Sequence, residues 1–395
     1  MSAEGEAIRS NDYRKDTTVK APSTRPEAVL GLDVGKSSHW ACLIDRGGEV
    51  LASAPVRNRE AELDALFASA PGGTLVVVDQ FRNIGSLAVR RARAAGLGVA
   101  YLPGLAASRA AGLFAGEAKT DERDAAVIAR TALGVPGSLS GVPGRGEALE
   151  AARALSSQRD HVVACATRDK NRLRAVLLES CPALEAAVDL SDRRWLELLA
   201  GFGGAWGIAG SGAEGRHAEA AREAAAASTA PPPALVEAEN RQVRFLAARI
   251  SEALDEAGEL EAETAGLLEG DETYACLLTV PGIGPRTAAQ LAVSIDIARF
   301  PDHDHLASYC GIAPRVRSSG TSVRSVRASR RGDARLKSLL IFSCNSLVRS
   351  SGRYGEYYRA CRARGMGHGR ALKAVARKRL RAIYAVMRDR VPYRE

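Results

Sequence analysis

Two short, nearly unbroken apolar runs stand out early in the chain: Ala28–Val34 (AVLGLDV) and Thr74–Val78 (TLVVV). Runs this short, bounded by turn residues, predict strands buried on both faces. The first is interrupted only by Gly31 and Asp33, and the second ends at Asp79. Between them, His39–Ile44 and Glu49–Pro55 predict two further strands joined by the turn Asp45–Gly48, and Glu60–Ser69 has helical spacing. A helix at Ile84–Ala95, a strand at Gly96–Leu102 and a helix at Ala106–Phe114 follow. The stretch Ala118–Ala129 (AKTDERDAAVIA) then starts another helix, with Thr120 placed to cap it.

This order places three hairpin-linked strands first, alternating helices and strands after them, and an acid on the first strand. It is similar to the ribonuclease H-like fold. Downstream, Gly134–Arg145 is rich in Gly, Pro and Ser and reads as a linker. Glu147–Leu178 and Ala234–Leu268 carry long helical periodicity, predicting an antiparallel coiled-coil pair or an oligomer interface. Ser191–Leu199 is a short helix, and Gly201–Pro233, Ala- and Gly-rich and ending in PPP, reads as a mobile insertion. Leu336–Val348 and Arg370–Val386 are amphipathic basic helices; the second buries Leu372, Val375, Ala376, Leu380, Ile383 and Tyr384. The expected domains are a disordered arm (1–27), an α/β domain (28–133), a linker and helical region (134–272, with the insertion 201–233) and a mainly α C-terminal domain (273–395).

Charge changes this picture. The net +9 conceals an asymmetry: from Arg315 onward there are 22 Lys and Arg against four acids, while the preceding residues are net negative. Such a concentration of cations is a footprint for phosphate backbones. The seven cysteines fall in no CxxC pair and no Cys/His cluster, which argues against zinc and for a reducing cytoplasm. Met1–Pro26 lacks the apolar core of a signal peptide, and no run approaches the ~18 apolar residues of a membrane span.

Four carboxylates are the first candidates for chemistry. Asp33 is a charge inside a buried run, which is costly unless paired or metal-bound. Asp79 closes the second run, where sites of α/β sheets gather. Asp121 and Asp124, three apart, share a helix face. Each has an ordinary structural reading too, as a cap or an acidic helix start; together, from three segments, they predict a two-magnesium site. In TVPGIGPRTAAQLAVSI (Thr279–Ile295), PGIG before an apolar helix matches a helix-hairpin-helix turn, with Gly282 and Gly284 letting backbone N–H groups approach a phosphate. Packing without a ligand is the other reading. In Gly311–Lys337, Ser318 and Ser319 precede Gly320 amid Arg315, Arg317, Arg324, Arg327, Arg330, Arg331 and Lys337. A Ser in a cationic loop is a candidate nucleophile on phosphorus, and equally an ordinary loop residue. Arg153, Arg159, Arg168, Lys170, Arg172 and Arg174 line the first long helix, as a phosphate track or a solvated face.

Six motifs taken jointly carry a resemblance: GLDVGK (Gly31–Lys36), VVVDQ (Val76–Gln80), AKTDERDA (Ala118–Ala125), TVPGIGP (Thr279–Pro285), GIAP…SSG (Gly311–Gly320) and SRRGDARLK (Ser329–Lys337). In this order and spacing, the chain resembles the transposases of insertion sequence family 110, relatives of the pilin-gene invertases and of bridge-RNA-guided recombinases. The resemblance covers most of Val29–Arg130 and Leu277–Ser351. The family usually has Glu where this chain has Asp79. It implies a resolvase-type (RuvC-like) ribonuclease H domain in which Asp33, Asp79, Asp121 and Asp124 hold two Mg²⁺ ions. It also implies a C-terminal domain whose Ser319, or failing that Ser318, attacks DNA to form a phosphoserine link. The implied partners are donor and target DNA, a guide RNA and further copies of the chain, as a dimer or tetramer, in the cytoplasm. Two other readings remain: a structure-selective nuclease that uses water, and a non-catalytic DNA-binding protein.

Overall fold

The computed structural model describes residues 26–114, 120–142, 146–319, 322–328 and 332–394, with the backbone alone at 314–319 and 322–328. The arm read over 1–27 lies almost wholly outside the described residues. The chain forms two compact units, Met1–Gly144 and Arg145–Glu395.

The first unit is a mixed sheet covered by helices on both faces. Strands β1 (Ala28–Asp33), β2 (Ser38–Asp45) and β3 (Val50–Arg57) form an antiparallel meander, followed by α1 (Glu60–Ser69) and β4 (Thr74–Val78). Helix α2 (Ser86–Ala94), β5 (Gly98–Tyr101), α3 (Gly104–Ala111), α4 (Asp121–Gly134) and the short β6 (Ser140–Gly141) complete the unit. The strand order is β3-β2-β1-β4-β5-β6, with β4 and β5 parallel to β1 and β6 antiparallel to β5. Part of the expected linker 134–145 is therefore a sheet edge: Ser140 pairs with Tyr101 and Gly141 with Ala100.

Alternation along the strands divides the core in two. Leu30, Leu32, Val76 and Val78 face Leu63 and Phe67 of α1 and Ala88 and Ala92 of α2. Val29, Leu75 and Val77 face Ala125, Ile128 and Ala129 of α4. Helix α4 lies close to β1 because Gly31 leaves room for it. A Cβ at Gly31 would stand 2.4 Å from the carbonyl oxygen of Ala125 and 2.7 Å from the amide nitrogen of Ala129. Gly31→Ala is therefore expected to cost about 1–3 kcal/mol of unfolding free energy, measured by chemical denaturation, because backbone on both sides has to move.

The second unit is built on two long helices, α5 (Glu147–Ser180) and, after α6 (Pro182–Ala187), α7 (Arg193–Phe202), α8 (Ala205–Ala209) and α9 (Arg216–Ala226), α10 (Pro233–Leu267). Arg159, Asp169 and Ser180 of α5 meet Glu261, Arg249 and Glu239 of α10, so the pair runs antiparallel within one chain. The segment 201–233, expected to be a mobile insertion, instead carries α8 and α9. Ala218, Ala221, Ala224 and Ala225 of α9 are buried in a core with Leu177, Trp195 and Leu246. Its alanines are small packing residues, which composition alone mistakes for low complexity.

At the other end of the long pair, Ala152 and Leu268 join a larger core. Its elements are α11 (Glu272–Leu278), α12 (Pro285–Ser294), α13 (His303–Tyr309), the hairpin β7 (Pro314–Ser319) and β8 (Ser322–Ala328), α14 (Ala334–Phe342), α15 (Arg353–Ala363) and α16 (His368–Asp389). Among the described residues no helix is long and apolar enough to cross a membrane.

Candidate functional site

Register brings the acids of the first unit to one corner. Leu32 of β1 pairs with Val78 of the parallel β4, so Asp33 and Asp79 follow as neighbours at the carboxyl ends of adjacent central strands. Both continue the odd-numbered positions of their strands, the face that α4 covers. The first turn of α4 carries Asp121 and Asp124, and Thr120 caps it as expected, accepting from the Arg123 amide at 3.3 Å.

The backbone N–H of Val34 donates to Asp79 Oδ1 at 3.1 Å, tying the residue after Asp33 to the second strand. Burial pushes the Asp79 carboxyl above its usual range and the Asp124 charge adds to this, while the Val34 N–H opposes it. Two acids from different elements thus sense each other. Among the described residues, no three of His, Cys, Asp and Glu stand close enough to hold a metal ion as they are. Asp33 and Asp79 are strand-end neighbours, and Asp124 of the helix start is near enough to act on Asp79, short of a closed ligand cage.

The elevated Asp79 pKa has a testable sign. The folded state holds the proton to higher pH than the unfolded chain does. The stability linked to it is fully present below the ordinary Asp range and is lost as pH rises through the elevated value. Asp79→Asn keeps an acceptor for Val34 and removes the charge. In chelator at pH 7 its Tm is expected above wild type by on the order of 2 °C, the gap closing toward pH 4.

Two residues that sequence reasoning passed over hold the loop after Asp33. His39 is only 2% exposed, and its Nδ1 accepts from the Gly35 N–H at 3.2 Å. Asn58 donates through Nδ2 to the carbonyls of Lys36 (3.2 Å) and Ile84 (3.4 Å). Burial pulls the His39 pKa down, opposed by Asn58 and by the Asp79 charge. The signal was a histidine at an inward-facing position of a strand directly after the acid-bearing turn.

The C-terminal candidates divide. Ser318 and Ser319 close β7, with Ser319 opposite Ser322 across the hairpin; the expected loop is a strand pair there. Arg315 and Arg317 lie on β7 and Arg324 and Arg327 on β8, while Gly320, Arg330 and Arg331 fall outside the described residues. Asp333 follows the hairpin and caps α14, accepting from the Arg335 and Leu336 amides.

Arg335 then anchors the helix start. It donates to Gln290 Oε1 (2.8 Å) and to the Ser156 carbonyl (3.0 Å), and pairs with Asp160. Arg159 of the supposed phosphate track is likewise taken, pairing with Glu261 at 2.7 Å and Asp160 at 3.2 Å. Lys337 lies near Lys373, whose pKa is lowered by burial and by the Lys337 charge.

In the PGIG turn, Gly282 has φ +76°, and a Cβ there would meet Arg379, Leu347 and the Ser343 carbonyl within 2.9 Å. Packing accounts for this glycine. Gly284, the N-cap of α12, faces open space.

Comparison with known proteins decides the family. A profile of DEDD transposases of the IS110 type, described as a transposase, matches residues 30–182. A second, described as "Transposase IS116/IS110/IS902 family", matches 274–359. The 43.6 kDa protein of insertion element IS110 from Streptomyces coelicolor is 35% identical over 91% of this chain and 94% of its own length. The chain belongs to the IS110/IS116/IS902 transposase family. A further member, the 42 kDa protein of insertion element IS900 from Mycobacterium paratuberculosis, is 30% identical over 92% of this chain and 96% of its own length. The pilin gene-inverting protein of Moraxella bovis is 36% identical over 30% of this chain and 37% of its own length. The first match takes in β1, β4 and α4, and with them all four acids; the second takes in the PGIG turn and the serine hairpin.

Proposed function

We propose that this transposase-family chain is a DNA strand-transfer enzyme of an insertion element, cutting and rejoining DNA through Ser319 with Mg²⁺ held by Asp33, Asp79, Asp121 and Asp124. The observation that carries the reading is the register of β1 and β4, which sets Asp33 beside Asp79 under the helix whose first turn bears the other two acids. The strand order, β3-β2-β1-β4-β5 with the first three antiparallel, supports a ribonuclease H-like domain of the RuvC type. Relatives named transposases and a pilin gene-inverting protein support DNA as the substrate.

The donor set suits magnesium: carboxylate oxygens are hard ligands, and burial and the Asp124 charge both raise Asp79. A bound pair of ions would supply acidification of the attacking hydroxyl and charge stabilisation on the phosphate oxygens. The Ser319 Oγ–P bond forms as the P–O3′ bond breaks, and the proton lost from the hydroxyl is balanced by the one taken up by the departing 3′ oxygen. The phosphoserine link conserves the phosphodiester, so a second 3′-OH rejoins the strand by the reverse step. The acids and Ser319 belong to different compact units, which suits a composite site assembled in a homo-oligomer. A guide RNA, as the family resemblance implies, would read the DNA sequence by base pairing and leave the chain to hold backbones.

The test is trapping on nicked suicide DNA substrates. A covalent protein–DNA adduct that forms with Mg²⁺ and disappears with chelator is expected. Full cleavage without any adduct would assign the chemistry to water and overturn the serine.

A further inference from the structure

Two sets of basic residues in the C-terminal third contrast with each other. One group is spent on ion pairs: Arg335 with Asp160, Arg377 with Asp304 (2.9 Å), Arg388 with Asp389 (2.7 Å) and Arg390 with Glu272 (3.6 Å). The other lines a groove of about 670 Å³ and comprises Arg353, Lys378, Arg381 and Arg394. Among the described residues none of these four has a carboxylate partner, and no acid lines the groove. Four like charges around one depression repel each other, and that cost persists unless an anion occupies it.

The groove has two fixed walls and an apolar floor. Lys378, Arg381, Ala382 and Ala385 are spaced i, i+3, i+4, i+7 on α16, the face opposite its core stripe. Arg390, in the left-handed conformation (φ 52°), ends α16 and turns the chain back. The returning segment is pinned where the Tyr393 N–H donates to Thr279 Oγ1 at 2.7 Å. Val386, Val391 and the half-buried Tyr393, whose hydroxyl is enclosed against the core, thereby form the apolar side; Lys378 reaches the groove from over the Tyr357 ring, with which it makes a cation–π contact at 4.2 Å. Cations around an apolar, aromatic-edged slot are the combination that takes a phosphate chain together with an unstacked base. A duplex keeps its base faces stacked and has nothing to offer the floor.

We infer that this groove seats one or two unpaired nucleotides of a single-stranded nucleic acid, with phosphates on Arg353, Lys378, Arg381 and Arg394 and a base against Tyr393. The inference rests on the DNA strand-transfer reading for its biological setting, while its test is a binding measurement that does not depend on that chemistry. The source of the strand is either DNA opened during transfer or an RNA.

The experiment uses the full chain and fluorescence anisotropy with a 12-nucleotide oligothymidylate, the matching oligouridylate and a duplex of equal length, each across a salt series. Arg353→Ala/Arg381→Ala, both at exposed positions, is expected to weaken single-strand binding roughly tenfold or more. It should also flatten the log–log salt slope by roughly 1.4, the loss of two single-strand phosphate contacts, with duplex affinity within about twofold of wild type. Tyr393→Leu should weaken single-strand binding roughly fivefold or more with the slope unchanged, as loss of stacking requires. A response with oligothymidylate alone assigns a DNA strand, with oligouridylate alone an RNA, and with both the shared chemistry. Parallel loss of duplex affinity, or unchanged single-strand affinity in the double variant, overturns the inference. Asp33→Asn separates the two claims: it should lose strand transfer and keep wild-type binding in all three titrations.

Discussion

Ser319→Ala is expected to eliminate covalent protein–DNA adducts and to lower strand transfer by at least about a thousandfold, with Tm and DNA affinity close to wild type. The size follows from what the hydroxyl would do. It supplies the bond that holds the cut strand, and alanine offers no atom to replace it. The small effect on folding follows from placement. Ser319 is the last residue of β7, paired through its backbone with Ser322, and alanine keeps every backbone donor and acceptor of that pair. Ser318→Ala is the control and should retain adduct formation. If Ser318→Ala is dead and Ser319→Ala active, the nucleophile moves by one residue. If Ser319→Ala cleaves at the wild-type rate, the acid corner of the first unit is activating water.

The second large effect is on stability. Arg379 is completely buried, and its guanidinium donates to the carbonyls of Pro281 (3.1 Å), Ser343 (3.2 Å) and Leu340 (3.1 Å) and to the Ser343 hydroxyl. One side chain on α16 thus satisfies carbonyls at the C-terminal end of α14 and clamps them to the PGIG turn. Burial pulls its pKa below the usual arginine value, opposed by Cys344 and Tyr354. Arg379→Leu is expected to cost about 3–5 kcal/mol in chemical denaturation. It takes the Arg379 donor from the Pro281 carbonyl and leaves the Leu340 and Ser343 carbonyls only the Cys344 thiol and the Ser343 and Ser346 hydroxyls. It also opens a mismatch in a fully buried site, each lost buried partner costing about 1–3 kcal/mol. Arg379→Lys should recover only part of this, since one ammonium cannot span the fork that reaches both α14 and Pro281. A loss below 1 kcal/mol for leucine would show that the carbonyls find other donors.

Where sequence patterns were strong, elements were legible nearly to the residue. Helix Glu60–Ser69 and strand Thr74–Val78 have the boundaries that periodicity predicts, and both long helices end within two residues of expectation. Those elements have one face to satisfy, and periodicity reports faces. Asp33 and Asp79 were legible as acids on buried runs, but their adjacency was not, because strand register is a long-range fact. Segment 201–233 carries no such signal, because buried alanine in a tight helical cluster has the composition of a tether. The Ser319 strand was read as a loop because Ser, Gly and Arg are weak strand formers.

Arg379 was missed although its position pointed to it. It lies three after Ala376 and four before Ile383, in the middle of the apolar stripe of α16, where a charged residue calls for a set of carbonyls. The PGIG motif allows both a phosphate contact and ligand-free packing, and at Gly282 the missing side chain is the space that Arg379 needs.

The antiparallel pairing of α5 with α10 also constrains how this protein's relatives can differ in length. The pair joins two separate cores, one at each end, and is in register through Arg159–Glu261, Asp169–Arg249 and Ser180–Glu239. Seven residues inserted into one helix lengthen it by about 10.5 Å. The tip can move outward only if the other helix grows by the same amount; an unmatched insertion breaks every pair beyond it. Along this lineage, insertions and deletions in the two arms should arrive as equal partners, in multiples close to two turns, while the tip and the base keep their own lengths.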